Sequence, residues 1–362
     1  MDTTTPENIK VLLHEALKRL PIFKECALLS YPNHYNIGDH LIWLGTIFYL
    51  VDTLGVQIKY ASSIESFSGE EMEKRIGTAP ILLLGGGNLG DLWSYYQSFY
   101  EKIISKYRQQ PIIILPQSIR FNNPERLEKA KKIFNQHPNL ILFVRENQSY
   151  EFSQKHFYNC AVVKAPDMAL HLVNKIGKLP FEPKPQDTTL YLCRKDGELN
   201  PSSSPTAIDL PNLVIEDWTS YRYKGAPKAN SIQGMTCLLR EGWEQGTVLP
   251  MEWLSRQVWQ HFHPDVLKFN NLYNPSSHQK SWNFIHNGVY QFKQHRLIIT
   301  NRLHGHILGI ILKIPHVFLA NSYHKNQSFY KTWTYQIPFC QFIQDASQVK
   351  HAAQELLDLY SQ

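Results

Sequence analysis

At 362 residues the chain exceeds the size at which one hydrophobic core usually stops growing, so two domains are the default, and a hydrophobic content of 43% is enough to build both cores. Its net charge of +6 is scattered as single Lys and Arg residues, which argues against a nucleic-acid-binding tail and leaves only a modest preference for anionic ligands. The opening MDTTTPENIK lacks a signal peptide's basic and apolar stretches, and the longest apolar runs, 41–51 and 306–320, are respectively too short and interrupted by Lys313 and Pro315 for a membrane span. A soluble, cytoplasmic protein is expected. Cys26, Cys160, Cys193, Cys237 and Cys340 are scattered with no C-x-x-C pair, which fits a reducing compartment.

In chain order, Thr5-Pro6-Glu7 reads as a helix start, followed by an apolar stripe at Ile9, Leu12, Leu13, Ala16, Leu17 and Leu20. Short apolar runs then alternate with helical patterns: ALLSY (27–31), ILLLG (81–85), IIILP (112–116), LILFV (140–144) and AVVKA (161–165). Without period-2 alternation they predict strands buried on both faces, as in a parallel sheet covered by helices. Residues 1–178 therefore read as one doubly wound domain. The proline-rich stretch 175–189 reads as a linker, and a second α/β unit over 187–340 carries strands at TLYLC (189–193), RLIIT (296–300) and HVFLA (316–320). Its middle, from Asn200 to Phe284, does not order itself, and NPSSSPT (200–206) reads as a mobile loop. A helical stripe over 344–362 follows, with Asp345 as a candidate N-cap.

Two loops of the first unit could carry chemistry. ILLLGGGNLGDLW (81–93) holds a literal G-x-G-x-x-G, but the next strand ends in Pro116-Gln117-Ser118 without the carboxylate that a dinucleotide ribose requires. Asn88 and Asp91 would instead stand at the mouth to bind hydroxyls, the alternative being that Asp91 caps a helix starting at Leu92. NHYNIGDHLIW (33–43) offers Asn36, Asp39 and His40 in the same way, with Asp39 open between a site residue and a plain N-cap. PQSIRF (116–121) would complete the rim. Strand carboxyl ends are where open α/β sheets bind ligands, so the loops could share one crevice.

In the second unit, LIITNRLHGHILG (297–309) runs a strand through Arg302 and His304 into a helix. Arg302 offers a planar fork for carboxylate or phosphate, the helix start adds N–H donors, and a histidine can give a proton near neutral pH. The alternatives are a surface ion pair for Arg302 and a capping role for His304. His304-Gly305-His306 does not read as a metal site, since a turn points the rings apart and no further ligand cluster stands out; His306 reads as support. Arg194, after the 189–193 strand, could meet Arg302 across one pocket, and Lys325, Asn326, Tyr330 and Trp333 could close it.

Taken in order, NIGDHLIW, LGGGNLGDLW, ILPQSI, APDMAL, LCRKDGE, TNRLHGHILG and NSYHKNQSFYKTW make residues 30–335 resemble the polysaccharide pyruvyl transferase family, especially its bacterial exopolysaccharide members. The resemblance implies two Rossmann-like domains facing each other in a glycosyltransferase-B-like arrangement. Phosphoenolpyruvate would be the co-substrate, with no further cofactor and no metal. A sugar hydroxyl pair, lipid-linked or in a finished polymer, would be the acceptor, and the product a pyruvate ketal. It implies that Arg302 and the Leu303 backbone hold the donor, with Arg194 as the second donor-binding arginine, and that His304 is catalytic; the loops themselves add Lys325 on the donor side and Asn36, Asp39, His40, Asn88 and Asp91 on the acceptor side. Peripheral contact with membrane-bound polysaccharide assembly machinery is compatible with it, and nucleic acid is not expected. Three positions depart from the pattern: Asn301 stands where Asp is common, Ala320-Asn321 where Asp-Asn often occurs, and His324 replaces a common Gly.

Two rivals remain. A nucleotide-sugar glycosyltransferase on the same fold would want a carboxylate in the second unit for ribose hydroxyls, and after His304 the next acid is Asp345. A non-catalytic glycan-binding relative would explain the departures but not the retained Arg302 and His304.

Overall fold

The computed structural model describes residues 2–194, 206, 208–222, 236, 239, 240, 243 and 250–360. The expected mobile loop at 200–206, Thr206 apart, and Cys237 lie outside the described residues. Among them, the first sheet contains β1 Glu25–Leu29, β2 Gln57–Ser62, β3 Ile81–Leu83, β4 Gly86–Gly90, β5 Ile112–Arg120, β6 Leu140–Val144 and β7 Ala161–Lys164. The second contains β8 Gln186–Leu192, β9 Leu213–Glu216, β10 His295–Thr300, β11 His316–Leu319 and β12 Cys340–Ile343. Their orders are β2-β1-β3-β5-β6-β7, with β4 beside β5, and β12-β11-β10-β8-β9, and every described strand pair is parallel.

Each order reverses once, between β1 and β3 in the first sheet and between β8 and β10 in the second. A reversal parts the loops that leave the strand ends and opens a crevice there. Arg194 and Arg302 follow the two strands that flank the second crevice, and the segments 30–36 and 84–91, the latter including β4, follow those that flank the first.

Apart from β7, an edge strand whose residues are exposed or half-buried, the unalternating apolar runs have the expected cause. In β5, Ile112 and Ile114 belong to a cluster under the helices Gly69–Ile76, Ser94–Lys106 and Pro124–Gln136, whereas Ile113 and Leu115 face the opposite cluster with the helices Pro6–Leu17 and Ile37–Phe48. The terminal helix Val349–Tyr360 buries Val349, Ala352, Ala353 and Leu356 with Leu297, Ile299 and Val317 of the second sheet. The large cluster is continuous between the sheets: Leu41 and Leu44 of Ile37–Phe48 share it with Ile307 and Leu308 of the helix Leu303–Leu312 and with Trp282 and Val289 of the helix Pro275–Lys293. Gly288 permits this approach, since a Cβ there would meet Ile37 Cγ2 at 3.0 Å. No helix among the described residues is long and apolar enough to cross a membrane.

The glycine-rich stretch differs from the expected strand-to-helix turn. Residues 86–90 form a strand, Gly86 and Gly90 adopt φ of 131° and 130°, and a Cβ at Gly90 would collide with the Arg120 backbone. The helix begins at Ser94, so Asp91 is not its cap. Strands β2, β4, β9 and β12 were not legible as apolar runs: Gly86–Gly90 is mostly glycine, and Gln57–Ser62 and Cys340–Ile343 mix polar residues into short edge strands.

Buried histidines make the fold sensitive to acid. Burial lowers His40 to about 3 and His278 and His316 to about 4, so the folded chain keeps them neutral while an unfolded chain protonates them from about pH 6.5 downward. Their contribution is present above pH 6.5 and is lost as pH falls toward 4, at roughly 1 kcal/mol per ring per pH unit. The melting temperature is expected to fall by roughly 5 °C or more between pH 7.5 and 5.5. Equal melting temperatures at the two pH values would show that other groups offset the histidines.

Candidate active site

A pocket of about 370 Å³ lies at the strand carboxyl ends and is lined from both halves. The first half supplies His34, Asn36, Asp39, Asn88, Trp93, Tyr96 and Arg145; the second supplies Arg194, Trp218, Arg302, Leu303, His304 and Lys325.

Arg302 precedes the helix Leu303–Leu312, and its N–H donates to Thr300 Oγ1 at 3.0 Å. Its guanidinium donates through Nε and Nη2 to the two carboxylate oxygens of Asp217, each at 2.6 Å. A fork held at both teeth is fixed in plane. Arg194 is brought beside it because its backbone N–H donates to Asn301 Oδ1 at 3.0 Å, while Asn301 Nδ2 donates to Tyr191 Oη at 3.2 Å. Asn301 thus ties the ends of β8 and β10 together.

Lys325 arrives on a segment of the second half that is fastened to the first. Ser328 Oγ donates to Glu146 Oε2 at 2.8 Å, and Trp333 Nε1 donates to the Arg145 carbonyl at 2.8 Å. Asn326 Nδ2 donates to the carbonyls of Asn301 and Leu319 at 3.0 and 2.9 Å. At Gly87 the absent side chain leaves room for two cations: a Cβ there would lie 3.3 Å from Arg145 Nη2 and 3.8 Å from Lys325 Nζ. Among the described residues four cationic side chains therefore line the pocket, with Asp39 the sole carboxylate beside them.

His304 leans on the start of Ile37–Phe48, where a Cβ on Gly38 would fall 2.6 Å from both Cβ and Cγ of His304. Its Nε2 lies 3.5 Å from Asp167 Oδ2. Gly38→Ala is expected to push the ring by about an ångström and cost roughly tenfold to a hundredfold in turnover with little change in melting temperature. Turnover within twofold of wild type would mean that the ring position is not critical.

Asn36, Asp39, Asn88, Arg194, Arg302, Leu303, His304 and Lys325 thus come together in one pocket. Asn36, not Asp39, caps Ile37–Phe48: its side chain accepts from Gly38 N–H, while its Nδ2 donates to Asp39 Oδ2 at 2.8 Å. Two expected acceptor residues do not line the pocket. His40 is fully buried, with Nδ1 2.8 Å from Ser281 Oγ, Nε2 2.8 Å from the His34 carbonyl and its ring stacked on Phe284. Asp91 accepts from the backbone N–H groups of Asn122 and Asn123 at 2.7 and 2.5 Å, holding the turn before Pro124–Gln136. Gln117 and Ser118 are likewise internal, Ser118 Oγ accepting from Arg145 Nε at 2.9 Å, and Asn326, Tyr330 and Trp333 support the pocket without lining it.

His306 points away from His304, toward His316 and Cys340, a cluster the sequence did not disclose; their ligand atoms lie within 4.8 Å of one another. Hydrogen bonds account for both rings. His316 Nδ1 donates to the Ile314 carbonyl at 2.8 Å, so its Nε2 accepts from His306 Nδ1 at 2.8 Å, and His306 Nε2 accepts from Thr334 Oγ1 at 2.9 Å. Burial keeps both imidazoles neutral by lowering them well below the usual range.

Sequence reasoning missed Arg145, Asp167 and Asp217. Arg145 had a signal: like Arg194 and Arg302, it stands one or two residues beyond an apolar strand. Asp167 lies in the APDMAL stretch and Asp217 in the unread middle, each recognisable only through its partner.

A doubly wound parallel α/β protein with a cation-lined, histidine-bearing pocket at its strand ends is equipped to bind a compact anion and move a proton. The family model for polysaccharide pyruvyl transferases matches residues 36–323, and the chain belongs to that family. It is 30% identical to "Putative pyruvyl transferase EpsO" of Bacillus subtilis over 94% of this chain and 95% of the relative. It is 26% identical to "Pyruvyl transferase 1" of Schizosaccharomyces pombe over 86% of this chain and 70% of the relative. A crystal structure of a Klebsiella pneumoniae protein of uncharacterised function superposes with a TM-score of 0.57 at 19% identity, covering 95% of this chain and 99% of the other, a likeness of fold.

Proposed function

We propose that this transferase moves a pyruvyl group from phosphoenolpyruvate to two hydroxyls of a sugar in a polysaccharide or its precursor, forming a ketal and releasing phosphate. The observation that carries this reading is the meeting of Arg145, Arg194, Arg302 and Lys325 around His304 in one pocket. Phosphoenolpyruvate presents a carboxylate and a phosphate, and paired cations suit both. The two sheets with facing strand ends support a glycosyltransferase-B-like arrangement, with the donor held by the second half and the acceptor by the first.

In this mechanism His304 protonates the methylene carbon, leaving positive charge at C2 that the phosphate oxygen shares. One sugar hydroxyl attacks C2 and gives its proton to Asp39, the carboxylate supplied by the first half. The C2–O bond to phosphate then breaks, with its electrons leaving on the phosphate. The second hydroxyl attacks C2 and gives its proton to His304, which became a base on protonating the carbon; this closes the ketal and restores the acid, and the proton held by Asp39 leaves with the phosphate. Against the glycosyltransferase rival, Asp217, the carboxylate that pairs with Arg302, is engaged through both oxygens by that guanidinium and is not among the described residues that line the pocket.

Calorimetric titration with phosphoenolpyruvate and, separately, with uridine diphosphate sugars tests the donor. Saturable binding of phosphoenolpyruvate alone is expected, and Asp39→Asn should leave it within threefold of wild type while lowering turnover at least tenfold. Binding of the nucleotide sugar alone would replace this reading with the glycosyltransferase.

A further inference from the structure

We infer that Asp167 is the positioning residue for His304, so that the acid of this site is assembled from the two halves of the chain. The inference rests on the proposed role of His304, but its geometry stands apart from the identity of the donor. Asp167 follows β7 of the first sheet, whereas His304 follows β10 of the second. The Asp167 carboxylate is wholly buried, and its Oδ2 lies 2.6 Å from Arg145 Nη1 and 3.5 Å from His304 Nε2. Its Oδ1 accepts from the Ala169 N–H at 2.9 Å, which anchors it to the turn Met168–Leu172.

A buried carboxylate persists only if its surroundings supply donors and positive charge. Burial by itself would raise the Asp167 carboxyl, but His304, Arg145 and the Ala169 N–H together outweigh it and hold the group well below the usual carboxylate range. Asp167 therefore remains an anion and does not give the proton. Its role is to orient the imidazole and to face it with a fixed negative charge. Nε2 is buried and makes no hydrogen bond to any described group, so the carboxylate at 3.5 Å is the partner within reach when the ring gains a proton. Gly38 also lies against the ring, leaving no room there for a side chain.

Arg145 tempers the pairing. Its guanidinium draws on the same Oδ2 and also donates to Ser118 Oγ at 2.9 Å. The other charged or titratable groups sharing the pocket with the ring are His34, Asp39, Arg194, Arg302 and Lys325. None of these is itself altered by Asp167→Asn, and the group besides the ring that loses a charged partner is Arg145.

The experiment is nuclear magnetic resonance of the full chain labelled with ¹⁵N-histidine, in wild type and Asp167→Asn, with the His304 signals identified by their loss in His304→Ala. The midpoint at which His304 gives up its proton is expected to fall by about one pH unit or more in Asp167→Asn. In phosphoenolpyruvate turnover the limb that reports loss of the acid should move the same way, with KM for phosphoenolpyruvate changing less than about threefold and kcat falling at least tenfold. An unmoved midpoint would reduce Asp167 to a structural role and overturn the inference. Absence of phosphoenolpyruvate turnover in wild type would overturn the proposed reaction instead, leaving the resonance measurement to decide the pairing. Should Asp167→Asn fail to fold, Asp167→Ser removes the same charge with a smaller side chain, and the same displacement of the midpoint is required of it.

Discussion

Arg302→Ala is expected to weaken phosphoenolpyruvate binding by roughly 2–5 kcal/mol, about thirtyfold to several thousandfold in Kd, without unfolding the protein. Two losses combine. The donor loses the guanidinium edge opposite Asp217, and Asp217, which now accepts from Nε and Nη2, is left as a half-buried carboxylate without its fork. Asp217 would then add negative charge beside the donor's own. Arg302→Lys should recover little, because an ammonium is a point charge that cannot hold two carboxylate oxygens in plane while facing a third group. Titration calorimetry, with melting temperature as the check on folding, decides it. Affinity within threefold of wild type would remove Arg302 from the donor site.

His304→Gln should behave in the opposite way. The substitution leaves Arg145, Arg194, Arg302 and Lys325 in the pocket, so donor affinity is expected to stay within a few fold. Turnover, followed as phosphate release, should fall by roughly 10²–10⁴, the usual contribution of a positioned general acid. Equal losses in affinity and turnover would make His304 a donor ligand rather than the acid. The two variants together separate holding the anion from moving the proton.

The sequence disclosed the parts of this molecule that are encoded locally. The apolar runs that became β1, β3, β5, β6, β8, β10 and β11 could be read because a strand covered on both faces needs no alternation. Arg302 and His304 could be read because a cation and an imidazole stand together between a strand and a helix. Edge strands such as β2 and β12 are short and partly polar, and β4 is built from glycines that normally end strands. His40 and Asp91 misled for a related reason: at a strand's end, a side chain that binds ligand and one that ties the loop down look alike. What distinguishes them is the partner, Ser281 for His40 and the Asn122 and Asn123 backbone for Asp91, and such pairings are absent from any single stretch. Asp167 and Asp217 escaped because each acts through a side chain more than 80 residues away.

The apolar cluster that runs unbroken from Leu41 to Ile307 bears on how substrates come and go. Swinging the halves apart would expose that seam to water at about 25 cal/mol for every square ångström uncovered, a steep opposing slope for any wide hinge opening. Traffic through the pocket is then expected to rely on small displacements at its lip, where Trp93 is 43% exposed and the chain has the least to lose by moving. Whatever enters the pocket would then pass a yielding lip over a fixed floor.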